Sequence, residues 1–219
     1  MAKMGYSPVV SEVRGAAGDE VFSRVRGASV VKGKPTYGFP VTPNQRVTSN
    51  YFKAAVTVYN TLTRPQVLAW NAFASTLTRH DPLTGRQYHP TGQNVFLGLA
   101  CKFLQINPAG AVPLVPPPGS FAGNRVVVTA SAAVGMIVFT ASGANGANAQ
   151  TELLLQKLAS VRRAPTDKYI SRAFAAFTAG SLSQGVAAVS GIYLPAYRFV
   201  NPLTGQMTDL LPLPEISTL

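Results

Sequence analysis

The sequence predicts an α+β protein with an N-terminal extended arm, a small helical region and an immunoglobulin- or fibronectin-like β-sandwich. Three observations predict it. Apolar residues recur at helical spacing across residues 44–106. Residues 121–219 are instead short β-prone segments punctuated by Gly, Asn and Pro, at roughly the 8–14-residue spacing of a sandwich. Between them lies PAGAVPLVPPPGS, residues 108–120, with five prolines.

The arm, residues 1–43, is rich in Gly and Pro and holds no helical period over two turns. Short alternations such as Glu20-Val21-Phe22-Ser23-Arg24-Val25-Arg26 suit edge strands or hairpins. The helical region, residues 44–107, opens with Val47, Tyr51, Ala54, Ala55, Val58 and Leu62 near one stripe. Thr63, Pro65 and Gln66 then predict the capped start of a second helix. A small polar N-cap, a proline in the first turn and a Gln three residues on satisfy its free N–H groups. Its apolar face is Leu68, Trp70, Phe73, Ala74 and Leu77, with the lone tryptophan in the core. Asp81-Pro82 opens a turn that Gly85 closes with positive φ. A third helix runs from near Thr91 to Ile106, with Phe96, Leu99, Phe103 and Ile106 on its buried side. It stops before Asn107-Pro108.

Residues 108–120 read as a stiff, extended linker and as the domain boundary. In residues 121–219 the segments NRVVVTAS, GMIVFTAS, TELLLQKLAS, YISRAFAAF, GVAAVSGIYL and AYRFVNP are the candidate strands. A single cysteine rules out an internal disulfide, which favours a cysteine-free sandwich. Asn201-Pro-Leu-Thr-Gly205 repeats the pattern Asp81-Pro-Leu-Thr-Gly85, one turn solution used twice.

Charge then bears on function. The net charge is +11, yet charged residues are only 12% of the chain, a sparse surface for a free-standing monomer. Residues 1–120 hold 12 basic and 4 acidic groups, and residues 121–219 hold 7 and 4, so the positive field belongs mainly to the first half. No apolar run is long enough to span a membrane, and the N-terminus shows no signal-peptide core.

Catalysis needs convergent acids, bases or nucleophiles. The eight acids are scattered, and the one adjacent pair, Asp19-Glu20, points to opposite faces of a strand. His80, Asp81 and His89 lack a fourth ligand and a zinc-site spacing. Cys101 sits in the apolar run VFLGLACKFL and reads as a small buried hydrophobe. No phosphate-binding glycine loop and no nucleophile elbow occurs. No enzyme, metal or cofactor is expected.

The contact candidates are Arg14, Phe22, Arg24, Arg26, Lys32, Lys34, Tyr37, Arg46 and Lys53. Basic groups interleaved with rings suit single-stranded nucleic acid. Their separation by Gly, Ser, Val and Pro suits an arm that adds a strand to a neighbour's sheet, and that reading is preferred. Arg162-Arg163 reads as a solvated loop. Tyr169, Tyr193 and Tyr197 are the few rings available to a carbohydrate-binding sandwich, a third and weaker reading.

Three pieces carry a resemblance: Pro40-x-x-Pro43-Asn44-Gln45-Arg46, Leu62-Thr63-x-x-Gln66-x-x-Ala69-Trp70-x-x-Phe73-Ala74, and Asp81-Pro82-x-Thr84-Gly85 followed by Gly92-x-Asn94-x-Phe96. In this order they resemble an uncharacterised family of phage and prophage structural proteins. The chain departs at Asn44-Gln45-Arg46, where a longer polar stretch is expected, and at Pro65. The resemblance implies a non-enzymatic component of a virion or phage-like particle, made in the host cytoplasm. Its partners would be further copies of itself and other particle proteins. The alternative is a nucleic-acid-binding accessory protein that uses the basic N-terminal half.

Overall fold

The structure, a computed structural model, describes residues 2–3, 15–25, 28–34, 41–80, 85, 87–159 and 168–218. It is α+β, with three helices and antiparallel sheets. The chain divides into two compact units, Met1–Pro43 and Asn44–Leu219.

The first unit forms a sheet of its own. Strands β1 (Ala2–Lys3), β2 (Gly15–Ala17), β3 (Glu20–Val25) and β4 (Ala28–Gly33) are ordered β1-β4-β3-β2. The alternation in Glu20–Val25 thus pairs as hairpins. Gly18, at φ 56°, takes the left-handed position of the turn between β2 and β3. Register places Phe22 opposite Val31, and Val21 opposite Lys32.

The second unit begins with α1 (Pro43–Asn60), α2 (Arg64–Ser75) and α3 (Gly92–Ile106). The caps follow the local sequence. Thr63 donates its N–H to Gln66 Oε1 at 2.8 Å, and Thr91 Oγ1 accepts the N–H of Asn94 at 3.2 Å. Trp70 is buried and meets Phe96 edge to face at 5.1 Å. Ala55, Ala74, Val95 and Ala100 complete the helical core. Leu68 lies outside it, 57% exposed, because only one stripe of α2 reaches α3. Between α2 and α3, the short strands β5 (Arg79–His80) and β6 (Gln87–Tyr88) flank the turn in which Gly85 has φ 65°. Residues 81–84 lie outside the described residues.

The proline-rich stretch runs back over the helices. Its backbone carbonyls, unpaired in an extended proline segment, serve as acceptors. Trp70 Nε1 donates to the Leu114 carbonyl at 3.0 Å, and Gln206 Nε2 donates to that of Gly119 at 2.7 Å. Helices, proline stretch and strands therefore belong to one compact unit.

Two sheets follow. One is ordered β11-β8-β7, from β7 (Val128–Ala133), β8 (Met136–Ala141) and β11 (Ser183–Ala187). The other is β10-β9-β12-β13, from β9 (Gln150–Leu158), β10 (Ile170–Ala175), β12 (Gly191–Val200) and β13 (Leu211–Pro212), with β14 (Ile216–Thr218) also on β12. Both contribute to one core that includes Val128, Ile137, Phe139, Leu153, Leu155 and Phe199.

The sequence segment GVAAVSGIYL is not one strand. It breaks at residues 188–190, and Gly191 starts a ten-residue strand that takes in AYRFV. Pro195 is tolerated within that central strand because it falls where the neighbour of β12 changes. β14 pairs with Gly191–Tyr193 and β13 with Ala196–Tyr197, so the missing N–H faces the gap. Strand β9 is buried on both faces. Leu153 and Leu155 enter the inter-sheet core, while Glu152 and Leu154 face α3. No described helix is long and apolar enough to cross a membrane.

Candidate functional site

The predicted contact residues fall on separate elements. Lys32 and Lys34 are exposed at the end of β4, and Phe22 is half-buried in β3. Arg46 and Lys53, seven residues apart, are exposed on one stripe of α1. Arg14, Arg26 and Tyr37 lie outside the described residues, as does the side chain of Arg24. Arg162-Arg163 and Asp81 lie outside them too.

The exposure of α1 departs from expectation. Of its eighteen residues Ala55 alone is buried, and Val47 and Phe52 are about half exposed. The stripe expected from Val47 to Leu62 packs only through its C-terminal half, where Val58, Tyr59 and Leu62 reach the helical core. The first turns extend beyond that core.

Sequence reasoning missed a buried charge cluster. Glu152 of β9 has no solvent exposure, and Lys102 of α3 is 8% exposed. Lys102 Nζ lies 2.8 Å from Glu152 Oε1, and Arg198 Nε of β12 lies 2.6 Å from Oε2. Lys102 also donates to Gln105 Oε1 at 2.6 Å and sits 5.5 Å from the centre of the Phe174 ring. Burial lowers the Lys102 ammonium from its ordinary value, although Glu152 works against this. Burial alone would raise the Glu152 carboxyl, but bonds and charges from Arg198 and Lys102 outweigh it and hold it low. The signal was present in part: Lys102 and Glu152 are lone charges of opposite sign inside the apolar runs LACKFL and TELLL.

Lys102 also lines a cleft of about 600 Å³ between α1, α3 and β10. Tyr51 and Thr48 of α1, Cys101 and Gln105 of α3, and Arg172 of β10 contribute to its walls. Burial raises the Cys101 thiol, which disfavours the nucleophilic thiolate. The pairing of β10 with β9 shifts register between Ser171 and Ala173, so Arg172 is the extra residue of a β-bulge. A second cleft, of about 520 Å³, is bordered by Phe73, Leu77, Val95, Leu99 and Phe121.

His80 is exposed in β5, and His89 Nδ1 donates to the Leu77 carbonyl at 2.8 Å. Among the described residues no three His, Cys, Asp or Glu converge as metal ligands. The arrangement supplies positive charge, hydrogen-bond donors and aromatic faces in the first cleft, and apolar surface on α1. No family model, curated protein or solved structure matches this chain.

Proposed function

We propose that this protein is a non-enzymatic structural component of a phage or phage-like particle, assembling through its N-terminal unit and helices. The observation that carries the reading is α1. An eighteen-residue helix with one buried residue gains little from packing within its own chain, and isolated helices are marginal in water. Val47 and Phe52 on that helix, with Val41 just before it, offer apolar area to another subunit. The N-terminal sheet supplies a separate unit whose strand edges can pair across subunits. The low share of charged residues supports a surface that is covered in use.

The finer fold belongs to the same proposal: an immunoglobulin/fibronectin-like sandwich. Counting β7 to β12 as the first six strands, the first, second and fifth form one sheet. The third, fourth and sixth form the other, together with the C-terminal strands. Tyr193, near the start of β12, donates its hydroxyl to the Val189 carbonyl at 2.9 Å, the tyrosine-corner arrangement of such sandwiches.

Removing residues 1–40 tests the assembly reading. The shortened chain is expected to unfold cooperatively yet sediment as a monomer where the full chain forms larger species. Assembly of the shortened chain at full-length concentrations sinks it. The second reading, a nucleic-acid accessory protein acting through the N-terminal half, is favoured by the exposure of Lys32 and Lys34.

A further inference from the structure

We infer that the cleft between α1, α3 and β10 is a nucleotide site, taking a phosphate on Lys102 and Arg172 and a base on its tyrosine rings. This inference goes beyond the particle reading and depends on neither placement of the N-terminal arm.

The argument begins with charge. Two cations, Lys102 and Arg198, share the single carboxylate of Glu152, so the buried cluster carries one positive charge in excess. Excess charge away from water is costly without a counter-charge. Lys102 is the cluster member that lines the cleft. Arg172 of β10 adds a second positive charge to the lining, and among the described residues no Asp or Glu lines the cleft. Among the described residues no carboxylate pairs with Arg172. Two positive charges match the one to two negative charges of a phosphate group.

Geometry narrows the class. The cleft volume falls within the range of small-ligand sites. Tyr51 and Tyr169 line it beside the cations, and a base stacks on such rings. Asn44, Thr48 and Ser171 place further hydrogen-bonding groups along the walls. The bulge at Arg172 is also informative. It redirects a side chain and interrupts the straight row of donors and acceptors that an added peptide strand would need. An acidic peptide pairing on β10 is therefore the poorer occupant.

Free nucleotide and a nucleotide within a single strand share this chemistry, and titration separates them. The full chain is titrated with inorganic phosphate, thymidine monophosphate, a twelve-residue oligothymidylate and polyglutamate, by calorimetry and by anisotropy of the labelled oligomer. Arg172→Gln, at an exposed position, is expected to weaken the nucleotide about ten- to a hundredfold. It should also lower the salt slope of oligomer binding by about 0.7. Tyr51→Leu is expected to weaken the nucleotide but not phosphate. Tighter binding of the oligomer than of the monophosphate assigns the site to a strand, and the reverse assigns it to free nucleotide. The inference is overturned if Arg172→Gln binds as wild type. It is overturned equally if phosphate binds as well as the nucleotide, or if polyglutamate binds and thymidylate does not. Loss of all binding in the fourfold Ala variant of Arg24, Arg26, Lys32 and Lys34, with Arg172→Gln unaffected, moves the contact to the arm. Thermal unfolding of each variant checks that its fold is intact.

Discussion

Glu152→Gln removes a charge that two cations require while keeping the side chain's size. The carboxylate has no exposure and holds Lys102 at 2.8 Å and Arg198 at 2.6 Å. Removing one partner from a buried pair costs about 3–5 kcal/mol, because the other charge stays buried without compensation. Arg198 is 21% exposed and regains some water, which favours the lower end, about 3 kcal/mol. For a chain of this size that is a fall in Tm of roughly 6–12 °C. Urea denaturation at neutral pH should show a lower midpoint with an unchanged slope. Acid supplies the second test. The Glu152 carboxyl is held below its ordinary value, so its stabilisation is present above the unfolded carboxylate pKa, about 4.3. It is lost as pH falls through the lower folded value. Wild type and variant should therefore converge in acid. Replacing the whole cluster, Lys102→Met with Glu152→Leu and Arg198→Met, should cost far less than Glu152→Gln alone. A Glu152→Gln chain within about 1 kcal/mol of wild type at neutral pH would refute this account of a buried, mutually dependent cluster.

Two further outcomes follow from local geometry. Gly205 has φ 74°, and a Cβ there would collide with the Leu99 carbonyl of α3, whereas Gly135 has φ 68° and faces open space. Gly135→Ala should cost about 1–2 kcal/mol by thermal unfolding, and Gly205→Ala distinctly more. Tyr193→Phe removes the bond to the Val189 carbonyl and should cost about 1 kcal/mol, with the loss read as a lower urea midpoint.

What was legible in the sequence was local. The N-cap at Thr63, the helix start near Thr91, the burial of Trp70 and the positive φ of Gly85 depend on a few neighbouring residues. The exposure of Val47 and Leu68 depends instead on where other elements end, and periodicity alone carries no such information. The break after β11 was hidden because Ala188 and Val189 continue the apolar, β-prone run of the strand before them. The cleft is also non-local. It joins α1, α3 and β10, and Arg172 reaches it through a bulge that leaves no mark in composition. Of the basic residues singled out from sequence, Lys32 and Lys34 lie at the end of β4 and Arg46 and Lys53 on α1, and none of these four lines the cleft.

The two edges of β12 are unequal in a way that sets an order of opening. Nine residues pair with β9 without interruption, whereas β13 and β14 together engage five, in two pieces separated at Pro195. The five-residue side is the shorter and interrupted pairing, and Leu211 on it is already exposed, while Leu213 and Ile216 pack against the core. Its amides should therefore exchange with solvent well before those between β9 and β12. The C-terminal residues act as a seam laid onto a finished sheet, and a partner that takes their place meets a ready-made strand edge along β12.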